Sequence, residues 1–349
     1  MTTLDEEARV PDVLNRKRSA EAAADGADKA GEPVGKPAIR RRSVPELAAL
    51  LAVLVGLFIF FSVQSKYFLT SDNIINVLTA IAVTGIIAVP GTMLLVAGQV
   101  DLSVGSGAAF CGVVMATVAQ TQTIGLSVLI ALLAGIAIGV VNGFLVTVVG
   151  VNALITTLGM LAVLRGLTEV RAGGQTVNLA NFSGLGTGRP FLSIPVPVLI
   201  LLGVVAIAVL AMRYTVFGRS LYAAGSNPTA ARLVGVRTKK VVFIAFVASG
   251  LGVALSGLIL DSQLSAASPN AATGLELSVV TAIVLGGASL SGGRGTVQGT
   301  LVGLLIIGVL NNGLTLLNVS SFYQQVASGS LLIVAVSFDQ LRQRLGGAT

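Results

Sequence analysis

The sequence predicts an all-α polytopic membrane protein with about ten transmembrane or re-entrant helices. Of its 349 residues, 54% are hydrophobic and 11% are charged, and the mean hydropathy is +0.91. Soluble globular domains are nearer 45–50% apolar and about 25% charged. The apolar residues form runs close to the roughly 20 residues with which one helix crosses a bilayer core, without the short alternation typical of a membrane barrel. The composition therefore excludes a soluble domain and favours membrane-spanning helices.

Residues 1–46 differ in composition from the rest of the chain. They hold nine Lys or Arg and nine Asp or Glu, with Ala, Gly and Pro between them and no apolar periodicity. Such a segment buries too little apolar surface to fold, so we expect a disordered tail. The first apolar run begins only near Leu47, which is unlike a secretory signal. The basic cluster Arg40, Arg41 and Arg42 predicts a cytoplasmic tail, and the equal acid content argues against nucleic-acid binding.

Ten apolar segments follow the tail, at approximately residues 47–64, 74–97, 102–119, 124–149, 151–169, 196–212, 241–260, 276–289, 297–316 and 324–338. Starting inside, ten crossings place residues 213–240 in the cytoplasm, and that loop carries six basic residues and no acidic residue. The same parity places the turn around Arg294 and a short C-terminus, residues 341–349, in the cytoplasm. The membrane domain is expected to cover residues 47–340.

Four basic residues fit this topology less well, because they fall near or inside outer loops: Lys66, Arg165, Arg171 and Arg189. Two of them flank or lie within the fifth segment. That segment could instead be a re-entrant or broken helix, whose freed backbone groups would have to be buried in protein.

Two carboxylates lie beside or within apolar segments without an obvious loop around them. A buried carboxylate needs a partner or a water-filled cavity, so Asp101 and Glu276 are candidates for a substrate path or gate. The serines and glycines around Asp101 indicate an interrupted helix. A structural role is favoured for both: Asp101 capping a helix end, and Glu276 accepting backbone N–H groups at the start of the eighth segment.

Glycine and asparagine are used in two ways. The glycines at 250–257 and 303–308 predict close helix packing, whereas Gly286, Gly287, Gly292, Gly293 and Gly295 crowd a turn that requires positive φ angles or close backbone approach. Asn311 and Asn312 lie in mid-segment, where interhelical hydrogen bonding is favoured over lining a path.

The residues also exclude several classes of site. The run LSGGR at 290–294 looks like the signature of an ATP-binding cassette ATPase. No GxxxxGK[ST] loop accompanies it, because the only lysine that follows a glycine, Lys36, precedes Pro37. The chain has no histidine and a single cysteine, Cys111, which excludes a His/Cys metal site and an internal disulfide.

Four blocks between Asn73 and Asp339 closely resemble the permease subunits of bacterial ABC sugar importers of the ribose, xylose and arabinose type. The blocks are NVLTAIAVTGIIAVPGTMLLVAGQVDLSVGS, GVVNGFLVTVVGVNALITTLGMLAVLRGLTEV, FGRSLYAAGSNPTAARLVGVRTKKV, and a fourth from SGLILDSQLSAASPNAATGLELSVVTAIVLGGASLSGGRGTVQGT to LLNVSSFYQQVASGSLLIVAVSFD. They occur in order over about three quarters of the chain.

The resemblance implies an ABC importer permease fold in the bacterial inner membrane and a path formed with a second permease copy, identical or different. It implies a secreted sugar-binding protein and separate ATPase subunits that hold ATP and magnesium, so that this chain binds no cofactor, has no catalytic residue and works by alternating access. The coupling helix of the family would correspond here to Gly225, Asn227, Ala230, Ala231, Arg232 and Gly235. Asn227 and Pro228 suit the start of a short helix.

Two departures from the family pattern place amides near the presumed path or gate: Gln99 after Gly98, and Asn152 before Ala153. The resulting path or gate candidates are Gln99, Asp101, Ser103, Asn152, Glu276, Asn311 and Asn312. The departures leave the solute open among sugars, nucleosides, inositol and furanose signals. A permease for branched-chain amino acids and an ATP-independent secondary transporter or channel remain alternatives, although few acidic residues are available for a coupling ion.

Overall fold

The computed structural model describes residues 46–180, 182–191 and 193–346. Nearly all of the predicted tail, including Arg40, Arg41 and Arg42, lies outside these ranges, as do the last three residues of the predicted cytoplasmic C-terminus. The described part is a bundle of helices with two very short strands.

Thirteen α-helices occur in the described residues. They are α1 (Glu46–Gln64), α2 (Ser71–Val96), α3 (Val104–Ala119), α4 (Ile124–Phe144), α5 (Ala153–Ala172), α6 (Gly184–Thr187), α7 (Val196–Tyr214), α8 (Val216–Ser226), α9 (Pro228–Leu233), α10 (Thr238–Leu264), α11 (Leu275–Leu285), α12 (Val297–Leu316) and α13 (Ser321–Gly346). A π-helical turn, Leu145–Val149, extends α4, and the strands are β1 (Val177–Asn178) and β2 (Ala266–Ala267).

The helical membrane fold is confirmed, and each of the ten predicted segments lies on a helix. Six helices in the described residues are long and apolar enough to cross a membrane: α2, α4 with its π-helical extension, α5, α7, α10 and α12. The apolar parts of α1, α3 and α11 are shorter. The count of about ten is therefore supported only roughly by length and composition.

The eighth segment, predicted at 276–289 as a short span, is shorter than the sequence indicated. Helix α11 ends at Leu285, so its 11 residues extend about 16 Å at 1.5 Å per residue, roughly half of a bilayer core. Gly286 and Gly287 end it. This element cannot cross the membrane alone.

The fifth segment is one continuous helix, α5, so the broken-helix alternative is wrong. Its basic side chains are satisfied by neighbouring elements. Arg165 donates from Nη1 to the carbonyl oxygens of Pro269 (2.5 Å) and Ala271 (3.3 Å), in the connection that precedes α11. Arg171 donates from Nε to Thr117 Oγ1 of α3. The positive charges of α5 thus tie it to its neighbours.

Helix α10 packs against α4 with almost no side chain between the two backbones. A Cβ atom on Gly135 of α4 would come within 2.5 Å of the Gly250 carbonyl oxygen and of the Ala254 Cβ. A Cβ atom on Gly250 would likewise collide with the Gly135 carbonyl. Small residues allow this approach, and in a bilayer such close packing is a main source of helix association. The predicted packing role of the glycines at 250–257 is confirmed here.

One end of the bundle is joined by the strands. Strand β1 pairs antiparallel with β2, Val177 opposite Ala267, directly after α10 ends. Gln120, just after α3, donates to the carbonyl oxygen of Asn178 at 2.9 Å. The ends of α3 and α10 therefore meet at this end, and α8, α9 and the turn 286–296 belong to the other.

Replacing Gly250 by valine is expected to destabilise the protein. Overpacking a tight interface costs about 1–3 kcal/mol, and here the clash is with backbone that cannot move aside alone. Thermal unfolding in detergent should show a clearly lowered Tm for Gly250→Val. The matched control is Gly203→Val in α7, where a Cβ atom would meet nothing within 4 Å. Equal Tm values for the two variants would contradict the packing described here.

Candidate functional site

Two helix interruptions lie against each other at one end of the bundle. The first, residues 97–103, separates α2 from α3, and the second, residues 286–296, separates α11 from α12. Gly98 has φ +76° and Gly292 has φ +82°. A Cβ atom on Gly292 would come within 2.9 Å of the Gly98 Cα. The two turns touch through their backbones, which only glycine permits.

The glycine turn confirms the conformations expected from its sequence. Positive φ angles occur at Gly287 (+88°), Gly292, Gly293 (+73°) and Gly295 (+141°). Gly286 is helical in φ, but a Cβ atom there would meet the Gly299 carbonyl of α12. Each glycine therefore supplies either a left-handed conformation or a close approach.

The carbonyl group of Val96, the last residue of α2, joins three elements. It accepts the backbone N–H of Gly293 at 2.8 Å, which links α2 to the glycine turn. Gly225 of α8 packs on the same carbonyl so closely that any Cβ atom would overlap the oxygen. We call this contact of Val96, Gly225 and Gly293 the backbone junction. It connects the basic loop to both helix interruptions.

Tyr222 adds a side-chain contact beside the backbone junction. Its hydroxyl donates to the carbonyl oxygen of Gly295 at 2.7 Å, from α8 to the last part of the glycine turn. Partial burial raises the pKa of Tyr222 above its usual value, which further favours the protonated phenol that donates this bond. Helix α8 is thus attached to the turn at two points.

Asp101 is buried in a polar network inside the first interruption. Its Oδ1 accepts the backbone N–H of Ser103 (3.0 Å) and the Ser103 hydroxyl (2.6 Å), and its Oδ2 accepts the hydroxyl of Ser249 in α10 (3.0 Å). Asn142 of α4 donates to Ser103 Oγ at 3.0 Å. Asp101 therefore bonds to Ser103, the residue before α3, but not to the N–H groups of the first turn of α3, so its capping role stays a prediction. The network also fastens the interruption to α4 and α10.

Glu276 lies in the first turn of α11, beside the start of α3. Its Oε1 accepts the backbone N–H of Gly274 at 3.2 Å, which confirms the expected contact with backbone at this helix start. Its Oε2 is buried and has no hydrogen-bond partner in the described residues. A Cβ atom on Gly105 of α3 would occupy the place of Oε2. Half of this carboxylate remains available for a further donor.

The other candidate amides make hydrogen bonds at helix ends or between helices, with one exception. Asn152 caps α5 by accepting the N–H of Leu154 at 2.8 Å. Asn312 exchanges two amide hydrogen bonds with Asn73 of α2, at 3.0 and 2.8 Å. Asn311 accepts a hydrogen bond from Ser328 of α13 at 3.4 Å. These contacts confirm interhelical bonding for the asparagine pair, and the part of Asn152, Asn311 and Asn312 in a path stays a prediction.

Gln99 is the exception among these amides. It is half-buried in the first interruption, and its side chain has no hydrogen-bond partner among the residues described by the structure. Gln99 and Glu276 are therefore path candidates with polar atoms that make no hydrogen bond within the described residues.

The residues assigned to coupling divide into an inner and an outer set. Asn227 caps α9 by accepting the N–H groups of Thr229 (3.1 Å) and Ala230 (3.0 Å), which confirms the predicted helix start. Gly225 and Ala231 face the bundle. Asn227, Ala230, Arg232 and Gly235 are exposed, and Arg232 donates from Nε to the Pro228 carbonyl at 3.0 Å.

Sequence reasoning missed two features of the site. Leu233 and Val234, at the end of α9, are 84% and 80% exposed and form an apolar tip. Asp261 of α10 is buried against Gly112 of α3, and its Oδ2 has no partner in the described residues. Asp261 is one residue beyond the predicted seventh segment, and extending that segment by one turn would have identified it.

Comparison with known proteins gives consistent matches along the chain. The sequence model of the family described as "Branched-chain amino acid transport system / permease component" matches residues 73–336. The ribose import permease protein RbsC of Escherichia coli (strain K12) is 42% identical over 306 residues, which cover 85% of this chain and 94% of RbsC. The L-arabinose ABC transporter permease protein AraH of Azospirillum brasilense is 40% identical over 314 residues, covering 88% and 92%. No solved structure matches.

The Asp101 network can be tested by a double-mutant cycle. Removing either partner of the Ser249–Asp101 hydrogen bond leaves the other unpaired in a buried site, so Asp101→Ala, Ser249→Ala and the double variant should be non-additive. We expect a coupling of roughly 0.6–1.7 kcal/mol in unfolding free energy, the range for hydrogen bonds between membrane helices. Asp101→Ala combined with Ser328→Ala in α13 serves as the distant control and should be additive. Additive behaviour of the first pair would contradict the network.

Proposed function

This chain belongs to the branched-chain amino acid transport system permease family, and from that membership we propose that it is the permease subunit of an ATP-driven ABC importer for a sugar. The main support is the sequence identity of about 40% to ribose and arabinose import permeases, which covers more than four fifths of this chain and of each relative. Four sequence blocks resemble those of sugar-importing permeases, which supports a monosaccharide as the solute. The permease itself catalyses no reaction.

Partner ATPase subunits dock on α9 in this proposal. Its exposed tip, Leu233 and Val234, presents apolar area beside the cation of Arg232, which suits a groove with an acidic rim. The inner residues Gly225 and Ala231 face the bundle, so we assign them to transmitting the movement rather than to contacting the ATPase. The six predicted coupling residues thus separate into a docking group and a transmitting group.

Transmission runs through the backbone junction. A displacement of α8 acts directly on the Val96 carbonyl and on the glycine turn, because Gly225 touches both. Val96 ends α2 and leads into Gln99 and Asp101, while the turn leads into α12. ATP-driven movement of α9 would therefore shift both helix interruptions together and alternate the openings of the path.

Gln99 and Glu276 are the groups that we assign to the sugar. A neutral sugar needs hydrogen-bond donors and acceptors but no net charge, and these two side chains have uncommitted polar atoms. Asp101 and Ser103 already satisfy each other and hold the interruption in place. We assign them a supporting role beside the path.

The assembly comprises a second permease copy, ATPase subunits that hold ATP and magnesium, and a sugar-binding protein on the opposite side of the membrane. The end of the bundle that carries α8 and α9 faces the cytoplasm in this arrangement, because its loop is basic and lacks acidic residues. Both chain termini then lie in the cytoplasm.

A branched-chain amino acid permease is the second candidate, and the description of the matching family favours it. The two candidates differ in the ligand. An amino acid carries a carboxylate and an ammonium group that need charged or helix-end partners, whereas a sugar does not.

Reconstitution tests the proposal. Vesicles holding this chain, its ATPase and a sugar-binding protein should accumulate ribose or another monosaccharide only when ATP is supplied. Glu276→Gln should change the apparent KM for the sugar while leaving membrane insertion intact. Accumulation of leucine but not sugar would support the second candidate, and accumulation without ATP would contradict both.

Charged substitution of the α9 tip separates docking from the path. Leu233→Asp, Val234→Asp and Arg232→Glu should abolish coupling of ATP hydrolysis to transport, because each opposes the apolar and cationic contact proposed for the partner. Lys240→Asp, an exposed residue of α10 away from the tip, is the charge-matched control. Wild-type coupling in all three tip variants would remove α9 from the docking role.

A further inference from the structure

A cavity of about 340 Å³ lies between α7, α8 and the start of α12. One part of its lining is apolar and consists of Val209, Met212 and Val297. Another part is polar and consists of Arg213, Thr296 and Gln298. A cavity with an apolar and a cationic part suits an amphipathic ligand.

Arg213 provides the charge of this cavity. It is exposed, and within the described residues it has no carboxylate partner; its guanidinium carbon lies 5.5 Å from the centre of the Tyr214 ring. An arginine without a carboxylate is free to make bidentate hydrogen bonds to a phosphate group.

The start of α12 reinforces the positive potential. Thr296 caps this 20-residue helix by accepting the N–H of Gly299 at 3.0 Å, and Val297 and Gln298 form its first turn. Amide groups in a first helical turn have no partner within the helix and carry partial positive charge. Arg213 and the start of α12 therefore favour an anion from two elements.

The position of the cavity favours a lipid over a soluble anion. Helix α7 is long and apolar enough to cross the membrane and ends at Tyr214, so Arg213 lies at the boundary of the apolar region. Val209 and Met212 extend the lining along α7 into that region. The adjoining loop 213–240 has six basic residues and no acidic residue. The acyl chain of a phospholipid can lie along the apolar wall while the phosphate of its headgroup contacts Arg213.

We propose that this cavity binds the headgroup of an anionic phospholipid. The ligand would bear on coupling, because Tyr222 also lines the cavity and donates to Gly295 of the glycine turn, two residues from Gly293 of the backbone junction. A headgroup held between α7, α8 and α12 would stabilise their contact. The inference concerns a lipid partner and holds whichever solute the permease carries.

The test uses the full chain in nanodiscs of phosphatidylcholine alone or mixed with phosphatidylglycerol. Native mass spectrometry measures lipid retention, and thermal unfolding measures stabilisation. Wild-type protein should retain phosphatidylglycerol and show a raised Tm in the mixed discs. Arg213→Gln should weaken retention about fivefold, the effect expected of one basic residue near an anionic lipid surface. Arg237→Gln, an exposed arginine outside the cavity, should behave as wild type.

A second variant keeps the charge and fills the space. Val209→Phe should also reduce retention, because the added ring occupies the apolar part of the cavity. Equal loss in Arg213→Gln and Arg237→Gln, or equal retention of the two lipids by wild-type protein, would overturn the proposal. Full protection by inorganic phosphate without phosphatidylglycerol would identify a site for a free anion and would likewise overturn it.

Discussion

The carbonyl oxygen of Val96 is the point on which the rest of this structure depends. This oxygen belongs to the last residue of α2, accepts the N–H of Gly293 at 2.8 Å, and lies against the backbone of Gly225. No side chain separates these three elements. In the proposed mechanism, a movement of α8 would therefore pass to both helix interruptions, because no side chain between the backbones could absorb it.

Interrupted helices are costly in a membrane because each freed backbone group needs a partner. In the first interruption, the Asp101 carboxylate accepts the backbone N–H and the hydroxyl of Ser103. In the second, the N–H of Gly293 donates to the Val96 carbonyl oxygen. The first interruption holds Gln99 half-buried, and the start of α11 holds Glu276 beside α3, each with polar atoms still available. These are the positions that we propose for binding the polar solute.

Much of the fold could be predicted because membrane helices depend on apolar length, which a sequence states directly. The ten segments, the cap at Asn227 and the glycine turn follow from composition and local chemistry. The half-length of α11 could not be predicted in this way, because the apolar run continues through Gly286 and Ala288 beyond the end of the helix. The pairing of Asn312 with Asn73, 239 residues away, depends on tertiary packing. The backbone junction could not be predicted from the sequence either, since no residue type indicates which two backbones will be in contact.

The most direct measurement of the central claim is the amount of sugar transported per ATP hydrolysed by Gly225→Ala in reconstituted vesicles. Alanine normally stabilises a helix relative to glycine, so a fall in this ratio would not come from weaker helix propensity. We expect a fall of about tenfold or more in this ratio, because the new methyl group overlaps the Val96 carbonyl. Gly203→Ala, where the space is open, should keep the wild-type ratio. A wild-type ratio for Gly225→Ala would contradict transmission through the backbone junction.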